Sequence, residues 1–234
     1  MTDVTGLELV GTGRTADVYA LDGARVLRRY RDGRSAAAEA AVMAHVRAHG
    51  FPVPAVHRVT GPDLVLDRLA GPTLLQALLD GDRSVDDAAE VLAGLHRRLH
   101  AVPPAGGSPA AAPPDTVVHL DLHPDNVVMT PDGPVLIDWR NATDGPAGLD
   151  VAFSALIMAQ VAVGAEVEAH AGAGLTALAA ALIGPFLAAA GGAPLDHLDA
   201  ATARRGADPQ LTTTEREQLT EAAALVAEGA RQSP

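Results

Sequence analysis

"VVHLDLHPDNVVMTPDGPVLIDW", residues 117–139, is the stretch on which the fold turns. Its apolar residues alternate as in a strand, stop for a loop, and resume on both sides of Pro131-Asp132-Gly133. Pro, Asp and Gly in that order are strong turn chemistry, so the stretch reads as a strand, a loop and a β-hairpin. Four acids and an asparagine interrupt it. Packing has no use for Asp121 and Asn126 in the loop or for Asp138 at the end of the last strand, yet the hairpin brings all three to one end of a small sheet. Their oxygens are hard ligands of the kind Mg²⁺ takes, one or two from the protein and the rest from substrate phosphates and water.

Upstream, residues 7–30 (LELVGTGRTADVYALDGARVLRRY) alternate around Gly11, Gly13 and the Asp22-Gly23 turn, which predicts two or three antiparallel strands. An Ala-rich helix follows, with Ser35 as N-cap, Gly50 at C′ and Pro52 blocking continuation. A strand pair over 55–60 and 63–69 ends at Gly71-Pro72. Together these form a small β-rich lobe. The glycines of Gly11-Thr12-Gly13 leave backbone N–H groups free to approach phosphates, and with the three oxygen-bearing residues they point to a nucleotide clamped between two lobes.

From Thr73 the pattern turns helical: a short segment to about Leu79, then one from Ser84 whose Val91, Leu92, Leu95 and Leu99 recur at helical spacing. Residues 103–115, rich in Pro, Gly and Ala, have little to bury and are expected to be mobile. Beyond Asp150 helices are expected over about 148–163, 166–190 with an interruption near Gly184-Pro185, 194–204, and 214–230. The last opens on a Thr214/Glu217 capping box.

Composition narrows the class. The 234 residues are 48% hydrophobic, enough for a substantial core. The net charge of −12 argues against nucleic acid as a partner, because that class neutralises phosphates with Lys and Arg. The charge is uneven: residues 1–114 hold 13 acids and 12 arginines, residues 115–234 hold 16 and 5. A face of that sign attracts cations, and equally it keeps a protein soluble. There is no lysine; all 17 basic residues are arginine. The absence of cysteine excludes disulfides and thiolate sites and fits a reducing cytoplasm. No signal peptide is visible, and the uncharged stretch 171–195, rich in Ala and Gly with Pro185 inside, reads as buried helices and not as a membrane span.

HLDLHPDN followed by LIDW resembles the catalytic loop and metal motif of the aminoglycoside phosphotransferases and their relatives, which share the protein-kinase fold. The resemblance covers roughly Leu7 to Asp150. It implies an α+β, two-lobe fold: a nucleotide-binding N-lobe over residues 1–71 with an antiparallel sheet and one helix, and a mainly helical C-lobe over 72–234 with the catalytic loop, metal site and acceptor site. It implies ATP and Mg²⁺ as cofactors and a small-molecule hydroxyl as acceptor. Asp121 would take the hydroxyl proton, and Asn126 and Asp138 would hold the metal. Glu39 would pair with the phosphate-contacting cation of the third strand, where Arg28 stands in place of the usual lysine and Arg29 is a register alternative. Gly11 and Gly13 would cover the phosphates, and Asp67 to Leu69 would form the hinge whose backbone reads the adenine edge. Asp150 matches an aspartate that braces the loop.

Ala16 replaces the third glycine of the loop, while Leu120 and Asp125 stand where these enzymes usually carry glycine. An Arg-for-Lys exchange at a phosphate site is not conservative. The leading expectation is therefore an ATP-dependent phosphotransferase acting on a small, amine-bearing or neutral alcohol. The alternative is a pseudokinase-like binding module without turnover. A protein kinase is disfavoured, since only ten residues separate Asp138 from Leu149 and leave no room for a long activation segment. His119 is expected to be a structural hydrogen-bonding residue, and His96 and His100 a packed and a helix-end histidine and not metal ligands.

Overall fold

The computed structural model describes residues 2–106, 115–164 and 173–232. The expected mobile loop over 103–115 and the expected helix start at 166 fall largely outside them. β1 (Leu9–Thr12), β2 (Ala16–Ala20), β3 (Arg25–Tyr30), β4 (Val56–Thr60) and β5 (Asp63–Asp67) form one antiparallel sheet in the order β1-β2-β3-β5-β4. Arg28 lies at the middle of β3, opposite Val18 on one side and Leu64 on the other. Helix α1 (Ala37–Ala48) crosses from β3 to β4 and buries Ala40, Met43 and Val46. It starts one residue later than a Ser35 cap requires: Ala36 is the N-cap, and Ser35 Oγ accepts from Ala37 N instead. Gly50 closes it with φ +78°, the left-handed conformation that suits C′.

Helix α2 (Leu74–Leu79) is capped by Thr73, and α3 (Val85–His100) by a reciprocal box of Ser84 and Asp87. The opening stretch then gives β6 (Thr116–Val118) and the hairpin β7 (Val127–Thr130) and β8 (Gly133–Leu136), while β9 (Thr143–Gly145) pairs with β6. The hairpin docks tightly on the segment leaving β5. Gly71, at φ +137°, admits no Cβ because one would run into the Met129 carbonyl.

The remainder is helical: α4 (Ala147–Val163), α5 (Ala173–Ala190), α6 (Leu198–Gly206), α7 (Thr213–Glu217) and α8 (Leu219–Gln232). α4 is buried along most of its length, from Asp150 to Gln160, which makes it the central helix of this half. Two expectations are corrected. α5 runs unbroken through Gly184-Pro185. The ring removes one helical hydrogen bond, but buried Leu182, Ile183, Phe186 and Leu187 anchor the helix on both sides of it. The capping box is formed by Thr212 and Glu215, two residues before the expected pair, because both Thr-x-x-Glu frames fit and the chain turns at the first.

Among the described residues no single helix is long and apolar enough to cross a membrane. One apolar cluster extends from Met43 and Val46 of α1 through Phe51, Trp139 and Leu95 to Val226 of α8, so the sheet and the helices share a core. Trp139 sits at the junction, its ring edge-on to Phe51 at 5.5 Å and its Nε1–H donating to the Leu136 carbonyl at 3.0 Å.

Candidate active site

The loop after β6 is built from the core outward. The backbone N–H groups of His119 and Leu120 both donate to Asp150 Oδ1, at 3.1 and 2.7 Å, and His100 Nε2 donates to Asp150 Oδ2 at 2.9 Å. Burial alone would raise this carboxylate, but the donors around it outweigh burial and hold it well below the ordinary range. Asp150 is thus an ionised brace under the loop. Leu120 adopts φ +60°, and Asp121 stands half-buried between the buried Leu120 and Leu122. A short 3₁₀ turn over Pro124–Asn126 brings Asn126 back: its Nδ2 donates to the Asp121 carbonyl at 2.8 Å, to Asp121 Oδ2 at 3.3 Å and to His123 Nε2 at 3.1 Å.

The hairpin supplies the next residue. Ile137 N donates to the Asn126 carbonyl at 2.9 Å, so Asn126 and Asp138 occupy neighbouring positions at the open end of β7 and β8. Asp138 also has positive φ, +62°. From the sheet, Arg28 reaches it: Nη1 donates to Glu39 Oε1 of α1, and Nη2 to Asp138 Oδ1. Tyr30 Oη and the Trp139 backbone N–H converge on the same Glu39 carboxylate, the latter at 3.1 Å. Burial works against the guanidinium's charge, but Asp138 and Glu39 beside it hold it above its ordinary value. Arg28 is thus the arginine that pairs with Glu39. Arg29, one residue on and facing the other way, is held by Asp63 at 2.7 Å and serves the sheet.

These contacts leave open oxygens on the two residues expected to hold a metal. Asn126 turns its amide nitrogen to Asp121, and its Oδ1 accepts no hydrogen bond among the described residues; Asp138 has one oxygen on Arg28 and the other unengaged. An amide and a carboxylate oxygen, both hard and side by side, fit Mg²⁺. Asp125, which could have crowded such a site with charge, is exposed and accepts from Thr73 Oγ1 at 3.1 Å, on the side of α2.

Gly11 and Gly13 flank the β1–β2 turn without being required there by crowding. A Cβ on either would meet its nearest neighbour at 3.6 or 3.7 Å, an ordinary contact. The turn is steadied by Arg31, which donates to the carbonyls of Gly13 and Arg14, and by Arg14, which pairs with Glu215 of α7 at 2.5 Å. Asp67 closes β5 with its carboxylate on Ala55 N at 2.9 Å and His57 at 2.7 Å, so its side chain braces strands. The Leu69 backbone takes no partner among the described residues and is free for a ligand edge.

Arg28, Glu39 and Asp138 therefore meet, as do Asp121 and Asn126; among the described residues Gly11, Gly13 and the Asp67–Leu69 segment make no hydrogen bond to either group. Two expectations on histidines divide. His96 and His100 are structural, with His96 donating Nδ1–H to Leu92 O at 2.9 Å and accepting from Ser154 Oγ at 3.0 Å, and among the described residues no cluster of His, Asp and Glu is gathered for a metal. His119 is structural too but makes no side-chain hydrogen bond: both ring nitrogens are buried without partners, and the ring packs edge-on to Trp139 at 4.8 Å. Tyr30 was legible as a same-face neighbour of Arg28 two residues along a strand. No sequence signal marks Arg205 of α6 and Gln160 of α4, which bond to each other at 2.8 Å.

A family model, described as the phosphotransferase enzyme family, matches residues 6–114 and 108–183 of the chain. No curated protein sequence matches it. Among solved structures the chain is similar to the aminoglycoside phosphotransferase APH(4)-Ia, at 14% identity and a TM-score of 0.59 over 97% of this chain and 94% of that one. It is similar to an ethanolamine kinase from Plasmodium vivax, at 10% identity and 0.60 over 97% and 85%. A third is a glucosamine kinase in complex with glucosamine, ADP and inorganic phosphate, at 19% identity and 0.50 over 96% and 77%. At these identities the likeness is one of fold, and that fold is protein-kinase-like, mixed α and β with an antiparallel sheet.

Proposed function

The chain belongs to the phosphotransferase enzyme family, and from that premise we propose that it moves the γ-phosphoryl group of ATP to a hydroxyl of a small molecule. The observation that carries the reading is the meeting of Arg28 from the sheet, Glu39 from α1 and Asp138 from the hairpin, beside Asp121 and Asn126. Residues 1–71 are then the nucleotide-binding lobe and 72–234 the lobe holding the catalytic loop and the acceptor. Gly11 and Gly13 let the β1–β2 turn lie on the phosphates, Arg28 sets a positive charge beside their oxygens, and the Asp67–Leu69 backbone meets the adenine edge. Mg²⁺ held by Asn126 and Asp138 would supply neutralisation of the phosphate charge. Asp121 accepts the acceptor's hydroxyl proton and aligns its oxygen, with Asn126 Nδ2 fixing the carboxylate.

The amine-bearing acceptor suggested by the acidic second half has a less simple footing at the site. The charged residues in and between α6 and α7 carry both signs, and the acids pair with cations, Glu215 with Arg14 and Asp208 with Arg205. A second reading, nucleotide binding without turnover, is favoured by Arg28 lying on the very carboxylate that would take the metal.

Thermal unfolding with and without Mg-ATP separates these. At 100 times Kd, binding to the folded state alone adds about 2.7 kcal/mol, roughly 5 to 10 °C for a chain of this size. The expected result is a Mg²⁺-dependent rise that Asp138→Ala abolishes and Asp121→Ala retains, with turnover lost in both. A rise with no turnover on any hydroxyl compound selects the binding module, and no rise at millimolar Mg-ATP defeats both.

A further inference from the structure

His123 stands between the residue that the reading above gives to the proton, Asp121, and one that it gives to the metal, Asn126. Its backbone is extended, φ −139° and ψ 167°, the conformation that a following proline favours, and Pro124 follows. Asn126 N donates to the His123 carbonyl at 2.9 Å and closes the 3₁₀ turn. The two side chains then meet, with Asn126 Nδ2 and His123 Nε2 3.1 Å apart. Both the ring and the Asp121 side chain are mostly buried, 25% and 21% exposed.

What surrounds the amide decides who donates. The Asp121 carbonyl at 2.8 Å and Asp121 Oδ2 at 3.3 Å are oxygens that accept. Turned over, the amide would set its oxygen against both. Its nitrogen therefore faces them, one N–H is spent on Asp121, and the other is left for His123. A ring nitrogen that accepts carries no proton, so the N–H of this imidazole is at Nδ1. Nε2 lies 3.9 Å from Asp121 Oδ1, beyond a hydrogen bond, and that oxygen has no partner among the described residues. A single hydrogen bond to Asp121 would leave the amide plane free to turn about it. Acceptors on two different residues fix the plane.

We infer that His123 is a positioning residue for the metal ligand: its Nε2 takes the second amide N–H of Asn126 and so sets the plane in which Asn126 Oδ1 is offered to Mg²⁺. The same plane keeps Asn126 Nδ2 on Asp121 Oδ2 and leaves Asp121 Oδ1 for the acceptor's hydroxyl proton. This rests on the phosphotransferase reading above. Partners that orient a metal-binding side chain in this way typically carry about 10- to 100-fold in metal affinity.

Two variants separate the accepting nitrogen from the ring that bears it. His123→Phe keeps a ring and loses the acceptor; His123→Gln loses the ring and keeps an oxygen close to the place of Nε2. The readout is the Mg²⁺ concentration for half-maximal stabilisation of the intact chain by AMP-PNP in thermal unfolding. His123→Phe should need about tenfold more Mg²⁺, and His123→Gln no more than about twofold more. In Asn126→Asp, which keeps a metal-binding oxygen but has no N–H for His123 to hold, adding His123→Phe should cost no more than about a further twofold. In the metal-free protein, the ring ¹⁵N resonances that vanish in His123→Gln should show the proton on Nδ1. A proton on Nε2, a His123→Gln as impaired as His123→Phe, or a second tenfold loss on top of Asn126→Asp each overturns the inference. So does a lower melting temperature of nucleotide-free His123→Phe with its Mg²⁺ requirement unchanged, which would make His123 a prop of the loop alone. If the wild-type chain shows no Mg²⁺-dependent response, the phosphotransferase reading fails and the inference falls with it; if wild type and His123→Phe respond alike, the inference fails alone.

Discussion

The guanidinium of Arg28 donates to the carboxylate of Asp138, 110 residues further along the chain, while its other arm holds Glu39. One side chain thus ties the sheet, the helix α1 and the hairpin end together. Lysine, the residue usual at this position in the family it resembles, has a single ammonium and cannot present two parallel faces to two carboxylates.

Removing that cation leaves Glu39 buried and charged with only Tyr30 and Trp139 N–H around it. Breaking a buried pair from one side costs about 3 to 5 kcal/mol, whereas removing both charges together costs far less. Arg28→Met should therefore lower the melting temperature by about 6 °C or more, at roughly 2 to 4 °C per kcal/mol for a chain of this size. Arg28→Met/Glu39→Gln should recover a good part of the loss. Thermal unfolding of the two variants checks this, and a double variant no better than the single one would show that the pair is not coupled.

Much of this arrangement could be read from residue order. Period-2 alternation placed β3, Pro131-Asp132-Gly133 placed the hairpin, and the spacing of Asp121, Asn126 and Asp138 put three oxygens at one sheet end. What could not be read depends on contacts between distant segments. Two adjacent arginines face opposite sides of β3, and only the position of Asp63 and Glu39 says which is which. Two Thr-x-x-Glu frames compete at the start of α7, and α5 passes Pro185 because its neighbours hold it. Charge counting left a cation-attracting face and a merely solubilising one equally open, since it cannot see that Glu215 takes Arg14 and that Asp208 lies beside Arg205.

Stability should fall with mild acid through His96. Full burial lowers its pKa to about 4, against about 6.5 when unfolded, although Asp150 nearby favours the charged form. The unfolded chain therefore binds the proton more readily between those values, so the contribution is whole above pH 6.5 and is lost as pH falls toward 4. The slope is about 1.4 kcal/mol per pH unit, or about 2 kcal/mol from pH 6.5 to 5. His119, also lowered by burial, adds to it in the same direction. Asn at position 96 keeps a donor for the Leu92 carbonyl and cannot titrate, so His96→Asn should show a visibly shallower decline over that window. An unchanged slope would place the titration elsewhere.

Leu120 tests strain against burial. At φ +60° a leucine is disfavoured by about 1 to 2 kcal/mol, which glycine would relieve. But Leu120 is fully buried beside Asp121, and truncating such a residue to alanine costs about 2 to 5 kcal/mol, with glycine losing further in chain entropy. Burial should win. Leu120→Gly is expected to be less stable by about 2 kcal/mol in denaturant unfolding, and a variant as stable as the parent would mean that the loop conformation, not the side chain, limits the fold.

Asp125 stands where the family pattern has glycine, next to Asn126, and a second negative charge there would tighten a metal site if it faced one. It does not: its carboxylate is exposed and takes the hydroxyl of Thr73, whose oxygen in turn caps α2 through Gln76 N at 3.1 Å. A solvent-exposed charge acting through water on a divalent ion is worth about 1 kcal/mol at ~8 Å, which screening over a Debye length cuts to about 0.4 kcal/mol. Asp125→Asn, which keeps the acceptor for Thr73 and removes the charge, should therefore shift the Mg²⁺ concentration for half-maximal nucleotide stabilisation by no more than about twofold. Asp138→Ala should eliminate the Mg²⁺ response entirely. If Asp125→Asn instead weakens it tenfold, the carboxylate leaves Thr73 when nucleotide binds and joins the metal, and the loop over Pro124–Asn126 is not rigid at its turn.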